Sequence, residues 1–312
     1  MARSDPGKRL FRLLFWMVAI LIPAAVSGAL PRGVGQFVFN DPETGREIAC
    51  WYVLADSYER SDPPVIVFHG MKRNPDDYRD SWIEDAERFG LFVVVPYFSE
   101  EDYPGTSGYN LGNLFSSESD RTRKPESVSS FRIPEVVFDH LSSSDGETEA
   151  AGYMVFGHSA GAQFVHRMIA LHPDPRLRLA IAANAGWYTY PNVTDDWPYG
   201  FRGTGLTEAD LPPLLGANLV ILLGDQDIDE TQDNLRRTPE AMLQGRHRFE
   251  RGHRFFQVGQ AQAACMGVPF GWRIQVVPGV AHDQGGMAPV AAALMAEAIR
   301  GDRAGHSCEA GD

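Results

Sequence analysis

Six short apolar runs, PPVIVFHG (63–70), LFVVVPYF (91–98), GYMVFG (152–157), LAIAANAG (179–186), NLVILLG (218–224) and WRIQVVPG (272–279), constrain the chain most strongly. Proline, glycine or asparagine brackets most of them, and continuous apolar stretches so bounded are the signature of strands covered on both faces. Between them lie helical patterns: NPDDYRDSWIEDAERFG (74–90), PEVVFDHL (134–141), AGAQFVHRMIALH (160–172), an irregular helical stretch to Met266, and GMAPVAAALMAEAIRG (286–301). Strands alternating with helices specify an α/β fold with a mostly parallel central sheet and helices on both faces. Ahead of this series, GQFVFND and REIACWYVLAD flank a PETG turn and read as an antiparallel pair. The helix at 74–90 is expected to start on an Asn74 cap with Pro75 in its first turn and to stop at Gly90. Neither an internal repeat nor a low-complexity linker divides the chain, which reads as a single domain over residues 30–312.

In a parallel sheet, binding and chemistry gather where the chain leaves the carboxyl ends of the strands. The exits hold His69-Gly70-Met71, then Gly157-His158-Ser159-Ala160-Gly161, then Gly224-Asp225-Gln226-Asp227, and finally Gly279-Val280-Ala281-His282. A nucleophile, an acid and a base thus follow one another in chain order. Serine is a weak nucleophile until a neighbouring base takes its proton, and His282, alone among small residues after the last strand, is the candidate base. Of the other histidines, His140, His166 and His172 fall in or at the ends of helices. His247 and His253 lie in QGRHRFERGHRFF, a basic run that reads as a solvated or ion-paired helix face.

G-H-S-A-G between a buried strand and a helix, with a later aspartate and a last histidine, resembles the α/β-hydrolase superfamily from about Val65 to the final helix. That resemblance implies an α/β-hydrolase fold, with a small cap or insert after the strand that follows the serine turn. It also implies the site: Ser159 as nucleophile, His282 as base, and Asp227 as the acid that orients the imidazole, with Asp225 the neighbouring alternative. The backbone N–H groups of Met71 and Ala160 would form an oxyanion hole, whose donors are worth about 3 kcal/mol each. Within the superfamily, S-A-G at the turn and the short His-Gly loop are similar to the secreted polyhydroxybutyrate-depolymerase and feruloyl-esterase-like branch. No cofactor is implied, and no metal-ligand spacing appears in the sequence. His69, Tyr109, His158, Trp187 and Tyr188 are candidate pocket residues. His69 would support the oxyanion loop, Tyr109 lies with Asn110 and Asn113 in a long polar excursion (98–130), and the other aromatics follow the strand after the serine turn.

The first 29 residues read differently. Arg3, Lys8, Arg9 and Arg12 precede an uncharged run that lasts to Pro31, and Ser27 and Ala29 suit a signal-peptidase site. Residues 1–29 are therefore expected to be a bacterial-type signal peptide that sends the protein to the periplasm or medium. The alternative is an uncleaved anchor facing outside, the one arrangement that would make the membrane a partner. A net charge of −13 makes nucleic acid an unsuitable partner. Three cysteines, Cys50, Cys265 and Cys308, permit one disulfide, with the pairing left open.

The function these observations imply is hydrolysis of a small-molecule or oligomeric carboxylic ester through an acyl-enzyme. A peptidase or amidase would use the same residues. A catalytically silent binding protein on this fold would be expected to have lost one of the three, and none is missing.

Overall fold

The structure is a computed structural model and describes residues 29–309 except 118–119 and 144–145, with side chains to residue 303. The predicted leader, apart from Ala29, lies outside the described residues, as does the Cys308 side chain. Eight strands form one mixed sheet: β1 (Gly33–Asn40), β2 (Glu47–Leu54), β3 (Val65–Phe68), β4 (Phe92–Pro96), β5 (Tyr153–His158), β6 (Leu177–Ala183), β7 (Leu219–Gly224) and β8 (Arg273–Val277). Their order is β1-β2-β4-β3-β5-β6-β7-β8, antiparallel at β1–β2 and β2–β4 and parallel elsewhere, the strand order of an α/β-hydrolase.

Alternating side chains supply two cores. Ile66, Phe68 and Val155 point to one face, where they join Phe138 of α4 (Ile133–Leu141), Phe164 of α5 (Ala160–Leu171), Leu214 of α6 (Leu211–Gly216) and Phe255 of α8 (Arg248–Met266). Val65, Val67 and Phe156 point to the other, against Tyr78 of α1 (Pro75–Asp80), Ala86 of α2 (Ile83–Phe89) and Met287, Ala291 and Met295 of α9 (Gln284–Glu309). Each fully buried side chain of this size contributes about 2 kcal/mol. The central strands are hydrophobic throughout because both their faces are covered.

The segment predicted as one helix at 74–90 is two. Ser81 donates its hydroxyl to the Tyr78 carbonyl, a contact that bends a helix, and Trp82 drops into the core against Phe156 at a ring distance of 5.2 Å. Asn74 does not cap through its side chain, which instead donates to Asp77. Gly90 ends α2 in the left-handed region as expected, with φ of 70°. Cys50 is buried in β2 and Cys265 is exposed on α8, both as free thiols, so the Cys50–Cys265 pairing is not formed.

The polar excursion after β4 is tied down along its described part. Tyr103, Tyr109, Leu111, Leu114 and Phe115 are buried, and α3 (Gly105–Gly108) is braced by Arg73. Further along, Arg121 donates to the Trp197 carbonyl and Ser130 to that of Tyr109. Residues 186–210 form the irregular insert, joined to the body through α7 (Pro239–Gln244), whose Gln244 side chain bonds the Tyr188 backbone at both N–H and carbonyl. Among the described residues no helix is long and apolar enough to cross a membrane.

Register brings the exits together. Phe68 pairs with Gly157, His158 with Ala183, Ala183 with Leu222, and Gly224 with Val277, so β3, β5, β6, β7 and β8 end side by side at one edge of the fold.

Candidate active site

Ser159 occupies the turn between β5 and α5 with φ of 58° and ψ of −112°, a backbone region that costs a non-glycine residue about 1–3 kcal/mol. Close packing holds it there. A Cβ on Gly157 would stand 2.2 Å from the Gly161 carbonyl oxygen, and one on Gly161 would stand 2.1 Å from that of Phe68. Only glycine lets the helix start this close to the neighbouring strands. The turn thrusts the serine side chain out at the strand edge, half-buried.

His282 reaches it from the loop after β8. Its Nε2 lies 3.0 Å from Ser159 Oγ and its Nδ1 lies 2.7 Å from Asp227 Oδ2. With the ring neutral, Nδ1–H donates to the carboxylate and Nε2 accepts from the serine hydroxyl, the arrangement in which a serine can be deprotonated as it attacks. Asp227 is 1% exposed. Asp225 has a different task, since its Oδ1 accepts the Gly279 N–H at 2.8 Å and so shapes the loop that carries the histidine. That loop is further held by the Gln226 N–H on the Val280 carbonyl and by Asn184, which donates to the Ala281 carbonyl and accepts from the Gly224 N–H.

The expected oxyanion donors flank the serine. Ala160 is the first residue of α5, where an N–H has no acceptor within the helix. Gly70, just before Met71, lies in contact distance of the turn, where a Cβ would stand 3.9 Å from that of Ser159. His69 anchors this loop from beneath. Its Nδ1 donates to the Gly70 carbonyl at 3.0 Å, its Nε2 accepts the Phe98 N–H at 3.2 Å, and the Tyr109 hydroxyl donates to its carbonyl at 2.7 Å. Arg73, at φ of 56°, ties the loop to the Phe98, Tyr103 and Gly105 carbonyls and stacks on the Tyr109 ring.

Several sequence expectations change at this point. His69, Tyr109, His158, Trp187 and Tyr188, the candidate pocket residues, are all buried. His69 frames the oxyanion loop, as expected of it above, and Tyr109 frames it as well. His158 lies under the His282 ring at 4.7 Å and meets the Tyr78 hydroxyl through Nδ1. Trp187 is held between the Arg167 and Arg236 guanidinium groups, and Tyr188 stacks on Phe255 at 4.4 Å. Of the basic run, read as a solvated or ion-paired helix face, the ion-paired alternative holds at Arg248, inside the protein. Arg248 and Arg251 are buried, and Arg248 Nη1 lies 3.4 Å from the oxygen of Asp227 that does not meet His282. Arg248 and Asn184 are the site residues that sequence reasoning missed. Asn184 had a local signal, since asparagine before a glycine-terminated strand exit tolerates the left-handed φ of 49° seen here. Arg248 had none, because only tertiary packing separates it from its exposed neighbours.

Burial sets the protonation of the histidine core. It lowers His69 to about 3 and holds His158 and His166 well below the ordinary 6.5. These groups stay neutral in the native state while the unfolded chain takes up protons around and below that value, so their contribution to stability is level well above pH 6.5 and falls as pH drops through it. Three such groups are expected to cost about 4 kcal/mol together at pH 5.5, a fall in Tm on the order of 10 °C against pH 7.5. Thermal melts at the two pH values check this, and an unchanged Tm contradicts it.

Two solved structures are similar over most of the chain. A poly(aspartic acid) hydrolase-1 from Sphingomonas sp. KT-1 is 36% identical with a TM-score of 0.80, the match covering 85% of this chain and 99% of that one. LpqC, a poly(3-hydroxybutyrate) depolymerase from Bordetella parapertussis, is 37% identical with a TM-score of 0.78 over 85% and 90% of the two chains. An S-formylglutathione hydrolase from Agrobacterium tumefaciens, 15% identical with a TM-score of 0.55 over 88% and 99%, shares the fold. No protein-family profile and no curated protein sequence matches the chain.

Proposed function

The chain belongs to the α/β-hydrolase family of serine hydrolases, and we propose that it cleaves carboxylic esters through an acyl-enzyme on Ser159. The observation that carries this reading is the His282 ring bridging Ser159 Oγ at 3.0 Å and Asp227 Oδ2 at 2.7 Å. Ser159 Oγ attacks the ester carbonyl carbon as its proton passes to His282 Nε2. The new oxyanion is met by the Ala160 and Met71 N–H groups, and Asp227 stabilises the imidazolium while remaining ionised. Collapse of the tetrahedral adduct expels the alcohol, which takes the proton from His282. Water then attacks the acyl group with His282 again as base, releasing the acid and restoring the serine. A silent binding protein would have no use for the strained backbone at Ser159.

The two relatives at 36% and 37% identity are named for polymer substrates, and this chain spans 99% and 90% of their lengths. Polymer cleavage in those proteins coincides with a body much like this one, so a polymeric ester joins the small and oligomeric esters as a candidate substrate. An uncharged polyester chain fits the surroundings better than a polyanion. The protein carries a net charge of −13, and the exposed apolar side chains Met71 and Ile228 adjoin the oxyanion loop and Asp227. Export directed by residues 1–29 belongs to the same proposal. Amide cleavage is the second reading, favoured by the likeness to the poly(aspartic acid) hydrolase.

The test compares p-nitrophenyl esters from acetate to palmitate and 3-hydroxybutyrate oligomers with p-nitroanilides and poly(aspartic acid). Turnover of the esters well above that of the amides is expected. Faster cleavage of poly(aspartic acid) would move the protein to the second reading.

A further inference from the structure

Arg248 stands where a guanidinium is expensive. It is the first residue of α8, next to the positive end of the helix dipole, and it is 2% exposed. Its position is nevertheless specified on several sides. Nη1 meets Asp227 Oδ1 at 3.4 Å and donates to Gln232 Oε1 at 2.6 Å, and Nη2 donates to Asn234 Oδ1 at 2.7 Å. The α8 backbone reinforces the contact, since the Phe249 N–H donates to the Asp227 carbonyl at 3.2 Å. The Asp227 carboxylate is thus gripped from opposite sides, Oδ2 by His282 and Oδ1 by Arg248.

We propose that Arg248 is a positioning residue for hydrolysis, which fixes the Asp227 carboxylate toward His282 and whose charge limits how readily His282 takes up a proton before substrate arrives. The inference rests on the ester-hydrolase reading above. In the resting site, buried Asp227 and Arg248 neutralise one another, so protonating His282 leaves a net positive charge in a partly desolvated cluster. Without Arg248, the Asp227 charge acts on His282 alone and holds a proton there to higher pH.

The other groups facing His282 do not perform this task. His158 beneath the ring is kept neutral by burial, and Tyr78 reaches His158 through its hydroxyl. Asp283, the next residue along, accepts the Gly285 and Gly286 N–H groups, and Asp225 accepts that of Gly279. Among the described residues, Arg248 is the guanidinium in direct contact with the carboxylate that holds the imidazole.

Full pH profiles of kcat/KM for wild type, Arg248→Gln and Arg248→Lys decide the matter, with thermal melts to register folding. The Gln variant keeps a polar partner and loses the charge. Its acid limb is expected to move up by about one pH unit, so that activity on that limb falls roughly tenfold while the high-pH plateau falls less. The Lys variant keeps the charge and is expected to restore most of the limb. A limb that stays in place in Arg248→Gln, whatever happens to Tm or to the plateau, overturns the proposal and leaves Arg248 a structural residue. Wild-type protein with no ester turnover, or Ser159→Ala with full turnover, would instead overturn the reading on which it rests.

Discussion

Ser159→Ala is expected to lower ester hydrolysis by on the order of 10⁵-fold in kcat while leaving the fold intact. The hydroxyl supplies the bond to the acyl group and no other side chain occupies its place, so its removal leaves only the oxyanion donors and whatever they gain by binding. Alanine also suits the turn sterically, since the strained φ of 58° is imposed by the packing of Gly157 and Gly161 and remains in the variant. Its melting temperature is expected to stay within a few degrees of wild type or to rise, because burial and backbone contacts are unchanged. Initial rates on p-nitrophenyl butyrate, measured beside the thermal melt, check both halves of the prediction. Equal rates for the two proteins would place the chemistry elsewhere.

The second large effect separates two aspartates that lie two positions apart. Asp227→Asn is expected to lower kcat about 10⁴-fold, because an amide at this place no longer stabilises the imidazolium and can favour the wrong tautomer of His282. The same change strips Arg248 of its charged partner, so a loss of stability of about 3–5 kcal/mol should accompany it. Asp225→Asn retains an oxygen for the Gly279 N–H and touches neither His282 nor Ser159, and its rate is expected to fall less than tenfold. Rates on the same ester for the two variants form the test. Comparable losses in both, with both folded, would mean that the loop and not the carboxylate facing His282 governs the reaction.

Much of the architecture was legible because it is written in local patterns. Continuous apolar runs such as Val65–Phe68 and Phe92–Pro96 are what a sheet covered on both faces requires, and Gly157 and Gly161 are demanded by carbonyl oxygens about 2 Å from any Cβ. Ser159, Asp227 and His282 stood at strand exits in the sequence, and the pairing of β5 to β8 then aligned those exits. Nothing local distinguishes a solvated aromatic or arginine from a buried one. Trp187 between two guanidinium groups, Tyr188 on Phe255 and Arg248 against Asp227 are set by elements distant in the chain. The break at Ser81 and Trp82 has the same origin, since the helical pattern continues there and the core pocket beside Phe156 overrides it.

The most direct test of the account is covalent labelling with a fluorophosphonate followed by peptide mapping, on wild type and on Ser159→Ala. A single adduct on the peptide that contains Ser159, absent from the variant, is the predicted result. An unlabelled wild type, or an adduct that persists in the variant, would contradict the assignment of Ser159 as the nucleophile and the ester hydrolysis derived from it.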